Sequence, residues 1–346
     1  MPNWIGDVVM ATPILEDLRK LYPKAEITAM CFYPTATLLE KDPNIDEIFS
    51  FTTYGIFTRH TERRNIVKKL QRGRYDIGIL LTNSFSSAWI FWQGRIKKRI
   101  GYRGNFRTFL LTDPLSYSIH HLQQHQVITY KLLLSPLSAP LSTEGPKLYL
   151  APEEIENAQN ALQSYSIPKT ATLLGIHAGA SYGSAKCWLP ERFTSVATAL
   201  LQQDPSLFIL FFGDATTLPL VKSICQTLPS RAINIAGATS IRELMALISL
   251  CHAFLSNDSG PMHIADAFGI PTIALFGSTS AEMTRPYNGG VVIQKNVPCS
   301  PCFQRICPTD FRCMKQIEVE EVYLAVLKAL QKKLPSHETM AQKNPT

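Results

Sequence analysis

The chain has 346 residues, 45% apolar and 18% charged, which fits about two globular domains and excludes a disordered protein. No apolar run reaches the roughly 18 residues of a membrane span, and the basic-then-apolar order of a secretory leader is absent, so the expected compartment is the cytoplasm. The formal net charge of +7 gathers between residues 59 and 107, in "RHTERRNIVKKLQRGRYD" and "GRIKKRIGYRGNFR", a face suited to nucleic acid, acidic lipid headgroups or a phosphorylated substrate. Without a helix-turn-helix, zinc-finger or RNA-binding signature beside it, nucleic acid is the weakest of the three.

In chain order, "VVMATPILEDLRKLYP" carries a helical apolar stripe from Val8 to Leu21. Asp7 stands at its expected N-cap and Pro23 beyond its end. "AEITAMCF" (25–32) reads as a strand, "PTATLLEKDP" as a helix start, and "IDEIFSF" (45–51) as a short strand. A helix over "RRNIVKKLQRGRYD" closes at Gly73 and leads to a buried strand, "IGILLT" (77–82). The aromatic run "WIFWQG" (89–94) is taken as packing rather than membrane contact. This βα alternation implies a parallel, doubly wound sheet.

Residues 135–152 are rich in Pro, Ser and Gly and mark a domain junction. A second βα series follows. Its strands are "TLLGIHAG" (172–179), "LFILFFG", "AINIAG", "AFLSND" and "TIALFG", and Ser240 with Glu243 forms a capping box. The last helix is "EVEEVYLAVLKALQKKL", and residues 335–346 read as a mobile tail.

Three strand-end loops of this second half form a candidate anion site. In "FLSNDSGPMHIADAFG" (254–269) a strand ends at a small polar loop, and a helix begins near Gly260. Open α/β sheets bind ligands at the carboxyl ends of their strands, and free N–H groups at a helix start favour phosphate. In "HAGASYGSAKCWLPERF" (177–193) Lys186 is the cation placed to reach a phosphate leaving group. "FGSTS" (276–280) adds three hydroxyls. Each loop alone is equally an ordinary turn; together they describe a diphosphate-sized site. Asp7, in "NWIGD", is a cap, a general base, or both. The chain has neither a Gly-x-Gly-x-x-Gly run nor a Walker-type lysine, which counts against a dehydrogenase or phosphate-loop ATPase.

"CSPCFQRICPTDFRC" spaces Cys299, Cys302, Cys307 and Cys313 as C-x2-C-x4-C-x5-C. A structural zinc site, reduced thiols packed in a loop and a disulfide all remain open. The other four cysteines read as small core residues.

"PNWIGDVVMATP", "GASYG-AK-W-PERF", "NDSGPMHIADAFGIPTIALFGSTS" and "CSPCFQR-CP…CM", in this order, resemble the bacterial heptosyltransferases of glycosyltransferase family 9. The chain departs from the family pattern at Arg285–Pro286. The resemblance spans nearly the whole chain and implies an α/β fold of GT-B architecture. Two Rossmann-like domains would face each other across an active-site cleft: residues 1–152 on the acceptor side and 153–334 for the nucleotide sugar. It implies an inverting transfer from ADP-L-glycero-D-manno-heptose to the phosphorylated, acidic inner core on lipid A, at the cytoplasmic face of the inner membrane. No metal or other cofactor would be required.

By the same resemblance Asp7 would be the general base and Lys186 would neutralise the departing ADP. Asp258, Ser259, Gly260 and His263 match the donor site, with Ser181 and Thr279 at less specific positions. Arg99, Arg103 and Arg107 would read acceptor phosphates or carboxylates. A relative with another nucleotide sugar or lipid-linked acceptor stays open. A non-catalytic binder would need Asp7 or Lys186 missing, and both are present. The family also has a strand immediately before the "NWIGD" loop. The expectation is that Met1 is an internal methionine, that about ten residues of strand are missing, and that the sheet has a gap beside residues 25–32.

Overall fold

The computed structural model describes residues 1–52, 60–117 and 123–331. The chain divides into two units, Met1–Tyr149 with Glu282–Tyr287, and Leu150–Ala281 with the chain from Asn288. The expected tail, 335–346, lies outside the described residues.

The first unit opens on α1 (Ile5–Ala11) and α2 (Pro13–Leu21). The apolar stripe predicts one helix here, but the chain breaks at Thr12–Pro13. Proline has no amide hydrogen to donate, and the Val9 carbonyl is taken by Thr12, through its N–H at 3.1 Å and its hydroxyl at 2.9 Å. The stripe stays buried across the break, from Val8 to Leu15. The remaining elements are β1 (Thr28–Phe32), β2 (Glu47–Phe51), α3 (His60–Gly73), β3 (Ile77–Leu80), α4 (Phe85–Gln93), β4 (Lys98–Tyr102), β5 (Asp113–Leu115) and α5 (Gln126–Lys131). "PTATLLEKDP" forms only a short 3-10 turn, Thr35–Leu39.

All strand pairs of this unit are parallel, but they form two sheets, β1–β2 and β3–β4–β5. Among the described residues no strand precedes Trp4. Side chains connect the sheets: Phe49 of β2 packs with Ile66 and Leu70 of α3 and with Ile96, and the Tyr75 hydroxyl meets that of Thr28 at 3.3 Å. The aromatic run on α4 is only partly packed. Trp89 lies 5.9 Å from Phe85 and 4.9 Å from Trp92, and Trp92 remains 47% exposed.

The returning segment Glu282–Tyr287 is fastened by His125, which caps α5. Its Nδ1 accepts from the Val127 N–H at 3.2 Å, and its Nε2 meets the Arg285 carbonyl at 2.8 Å. Both contacts are met by the neutral ring with its proton on Nε2. Tyr287 stands edge-on, 4.9 Å away.

The second unit begins with α6 (Pro152–Ser164), where Glu154 reaches back to the Ala151 N–H at 2.7 Å. Then come β6 (Thr172–His177), α7 (Pro190–Gln203), β7 (Leu207–Phe212), α8 (Leu218–Cys225), β8 (Ala232–Asn234), α9 (Ile241–Ser249), β9 (Ala253–Asn257), α10 (Gly260–Ala267) and β10 (Thr272–Phe276). After α11 (Ala281–Thr284), which runs into the returning segment, the unit closes with β11 (Val291–Gln294), α12 (Arg312–Lys315) and α13 (Val319–Leu330). The strands form a six-stranded, all-parallel sheet in the order β11-β10-β9-β6-β7-β8. Every residue of β9 and β10 is buried, as expected of a parallel sheet covered on both faces. Helices α7 and α13 pack together, as do α6 and α9, and the Arg242 guanidinium joins Glu154 at 2.5 Å. Gly175 is required where β6 meets β9, because a Cβ there would run into the Phe254 ring. The expected Ser240–Glu243 capping box is present.

Burial holds the His125 imidazole below its ordinary pKa. The unfolded ring then binds protons more readily than the folded one, so stability is lost as pH falls below about 6.5. Urea unfolding of the full chain at about pH 7.5 and 5.5 should show this loss, and His125→Asn should flatten it.

Candidate functional site

The order of the second sheet reverses between β6 and β9. From β6 the chain proceeds outward to β7 and β8; from β9 it proceeds the other way, to β10 and β11. Ligands of open α/β sheets bind outside the carboxyl ends of the strands at such a switch point. Three loops leave those ends side by side: 178–186 after β6, 258–259 after β9, and 277–280 after β10.

These loops bring Lys186, Asp258 and Thr279 together. The Lys186 ammonium donates to Asp258 Oδ2 at 2.5 Å, and the Thr279 hydroxyl donates to the same oxygen at 2.7 Å. The two charged side chains are 14% and 5% exposed, so each replaces much of the hydration the other has lost. Lys186 ends a short 3-10 turn, Ser184–Lys186. Asn257, a residue that the sequence does not single out, ties the loops below this pair. Its Oδ1 accepts from the Trp188 N–H at 3.0 Å, and its Nδ2 donates to the Ala178 carbonyl at 2.7 Å. Trp188 is itself only 1% exposed and donates its indole N–H to Ile317 O at 3.2 Å.

Ser259 is the N-cap of α10, and its hydroxyl pairs with that of Ser256 at 2.9 Å. Gly260 opens the helix and Pro261 follows it, so the first-turn N–H groups are directed at the loop end. His263 is buried one turn in. Ser181 is exposed. A second residue without a local sequence signal is Tyr182, whose ring lies 5.0 Å from the Lys186 Nζ. The arrangement offers a positive charge, helix-start N–H groups and a carboxylate, the complement of a phosphate joined to a sugar.

Asp7 lies in the first unit, half-buried. The N-cap expectation is corrected. Trp4 is the cap, with extended backbone and no side-chain acceptor, and Asp7 sits in the first turn. A carboxylate there still faces the positive helix end. The Tyr130 hydroxyl of α5 donates to Asp7 Oδ1 at 3.4 Å. Burial and the neighbouring Asp7 charge push the Tyr130 phenol well above its ordinary pKa, so it remains a proton donor to Asp7.

The three arginines have different environments. Arg107 is fully buried: Nη2 donates to Tyr102 O and Asn83 Oδ1 at 2.8 Å, and Nη1 to Thr82 O. Its acceptor-reading role is therefore replaced by a structural one, since these donors hold the loop after β4. Arg99 is half-buried and spends Nε on Leu110 O at 2.7 Å and Nη1 on Ile96 O at 2.5 Å. Arg103 is exposed, with Nε 3.3 Å from Pro114 O.

All eight cysteines are free. The four crowded ones line a small cavity of about 50 Å³ beside Ala185, Gly277 and Ser278. Among the described residues no three His, Cys, Asp or Glu side chains are grouped to hold a metal ion, so the zinc expectation is unsupported. Hydrogen bonding to Thr309 lowers the Cys307 thiol pKa, and burial raises that of Cys313. No helix among the described residues is long and apolar enough to cross a membrane.

The sequence model of a family described as "Glycosyltransferase family 9 (heptosyltransferase)" matches residues 63–311. The chain is 31% identical over 303 residues to the lipooligosaccharide heptosyltransferase 2 of Haemophilus ducreyi, a match covering 84% of this chain and 86% of that protein. It superposes on the Escherichia coli ADP-heptose LPS heptosyltransferase II structure with a TM-score of 0.81 and 26% identity, over 95% of this chain and 96% of that one. A family 9 glycosyl transferase from Veillonella parvula shares the fold, with a TM-score of 0.85, 24% identity and 96% of each chain covered. The α/β organisation with parallel sheets matches these GT-B structures.

Two substitutions test the site's physics. Lys186→Met should lower stability by about 3–5 kcal/mol by leaving Asp258 buried without its cation, and adding Asp258→Asn should recover much of the loss. Arg107→Met should cost about 1–3 kcal/mol for each buried acceptor it orphans. Denaturant midpoints measure both.

Proposed function

Because this chain belongs to glycosyltransferase family 9, and is a glycosyltransferase of the lipopolysaccharide heptosyltransferase II kind, we propose that it moves heptose from ADP-heptose to the inner core of lipopolysaccharide. The single observation carrying the donor side is the Lys186–Asp258 pair, 2.5 Å apart at the switch point of a parallel sheet. The acceptor is a heptose-Kdo-lipid A, and the enzyme works where this lipid meets the cytoplasm. The names of its relatives, which specify a lipooligosaccharide or LPS heptosyltransferase and, for one structure, ADP-heptose, support this donor and an acceptor of the lipopolysaccharide class.

In the proposed step, an Asp7 oxygen takes the proton of the acceptor hydroxyl. The acceptor oxygen, as it loses that proton, attacks the anomeric carbon while the carbon–oxygen bond to ADP breaks, and ADP leaves with the electron pair. One displacement with the base on the acceptor side inverts the centre, by the same logic as an inverting hydrolase. The Tyr130 hydroxyl on Oδ1 orients the Asp7 carboxylate for this transfer. Lys186 meets the charge growing on the leaving diphosphate, and the Thr279 hydroxyl keeps a donor on Asp258 when Lys186 turns to a phosphate. The N–H groups of Ser259 and Gly260 bind the diphosphate, with His263 and Ser181 at the margins of the donor site. Asp258 bonds the heptose hydroxyls. Arg103, and the partly committed Arg99, meet acceptor anions. No metal or cofactor enters the step.

The assay is radiolabelled heptose transfer from ADP-heptose to a heptose-Kdo-lipid A acceptor. Asp7→Asn should lower kcat by about 10²–10⁴ with ADP affinity retained; undiminished turnover refutes the base. Lys186→Ala should lose about 10²–10³ in kcat. Transfer from UDP-sugars but not from ADP-heptose refutes the donor. Arg103→Ala should raise the acceptor KM.

A further inference from the structure

The cysteine-bearing segment between β11 and α12 lies against two loops of the donor site. The Cys302 and Phe303 N–H groups donate to Ser278 O at 3.1 and 2.7 Å, and the Ser300 hydroxyl donates to Gly277 O at 2.6 Å. These contacts fix the segment to the loop that carries Thr279. On the other side, the Tyr182 hydroxyl donates to Phe303 O at 2.7 Å, and the Ala185 N–H donates to Arg305 O at 3.0 Å. Gly183 makes this approach possible, since a Cβ there would collide with the Arg305 carbonyl oxygen. The Arg305 backbone is thereby locked onto the turn that ends in Lys186.

The side chain follows from that anchoring. The Arg305 guanidinium stands 5.2 Å from the Tyr182 ring centroid, and the Lys186 ammonium stands 5.0 Å from the same centroid. One aromatic ring thus attracts two cations that would otherwise repel one another. Lys186 has Asp258 as its counter-ion. Arg305 is exposed, and among the described residues its guanidinium shows no hydrogen bond or ion pair, only the ring. Lys186, Arg305 and Asp258 together leave one positive charge in excess, with the guanidinium fork uncommitted. A planar fork binds phosphate oxygens in pairs, which an ammonium cannot do.

We propose that Arg305 is a second cation of the donor site, binding the diphosphate of the nucleotide sugar together with Lys186. The proposal rests on the reading of this site as a nucleotide-diphosphate-sugar site. In it the cysteine segment carries Arg305 and holds it beside the Lys186 turn. Two cations suit two phosphates, so Arg305 should matter for ADP and little for AMP.

The test is calorimetric titration of ADP and of AMP into the full chain, wild type and Arg305→Gln, with thermal unfolding as a folding control. Among the described residues the Tyr182 ring is the one contact shown for the Arg305 guanidinium, and it is an exposed one, so the melting temperature should move little. ADP affinity should fall about tenfold or more, the weight of a charge-assisted contact, with AMP affinity changed by less than about twofold. Equal ADP affinity in the two proteins overturns the inference and leaves the nucleotide-sugar reading standing. Equal weakening of ADP and AMP also overturns it, because the residue would then act on the site as a whole. No ADP binding by the wild type overturns both.

Discussion

An ammonium and a carboxylate 2.5 Å apart, almost withdrawn from water, hold three strand-end loops of the second unit in register. Lys186 comes from the loop after β6, Asp258 from the end of β9, and the supporting Thr279 from the loop after β10. A buried pair of this kind adds little net stability compared with apolar packing, but it is costly to break on one side only. It therefore acts as a specificity device: each loop conformation is favoured only while the others are in place. Asn257 and Trp188 form the rigid base beneath it. In the proposed donor site a phosphate would compete with Asp258 for a cation already positioned.

The first unit solves a different problem. Its catalytic candidate sits near the start of a seven-residue helix that ends at a proline. A short helix has a weak intrinsic tendency to form, so its orientation comes from packing against α5, the helix that also brings Tyr130 to Asp7. The two parallel sheets of this unit are joined through side chains of α3 and the core rather than through a backbone ladder. Precision at Asp7 is thus a tertiary property.

The strands of the second unit were legible because full burial on both faces forces near-continuous apolar runs, as in "LFILFF" and "TIALF". The loops at their ends were legible because capping and phosphate chemistry leave small residues in order. Strands β4 and β5 were hidden by their charges. Lys98 and Arg99 read as an anion-binding face, yet Lys98 lies 3.5 Å from Asp113 of β5, and Arg99 is bonded to the Leu110 carbonyl. Composition shows that a charge is present; only packing shows whether it is spent internally. Arg107 is the extreme case. Tyr182 and Arg305 were missed for the opposite reason, since their contact joins segments more than a hundred residues apart and leaves no local period. Cysteine spacing brought four thiols to one cavity but did not arrange them as ligands.

The chain passes from the first unit to the second after Tyr149, returns for Glu282–Tyr287, and leaves again. The two halves are therefore not beads on a string, and no single cut separates them. Exchanging acceptor specificities between relatives by swapping an amino-terminal half at residue 149 would leave a six-residue insert of the old protein inside the new one. The mismatch would include the Arg285 carbonyl and the Tyr287 ring, both of which His125 of the incoming half must recognise. In this architecture the unit of modular inheritance is discontinuous, and a working chimera has to carry both pieces of the first unit together.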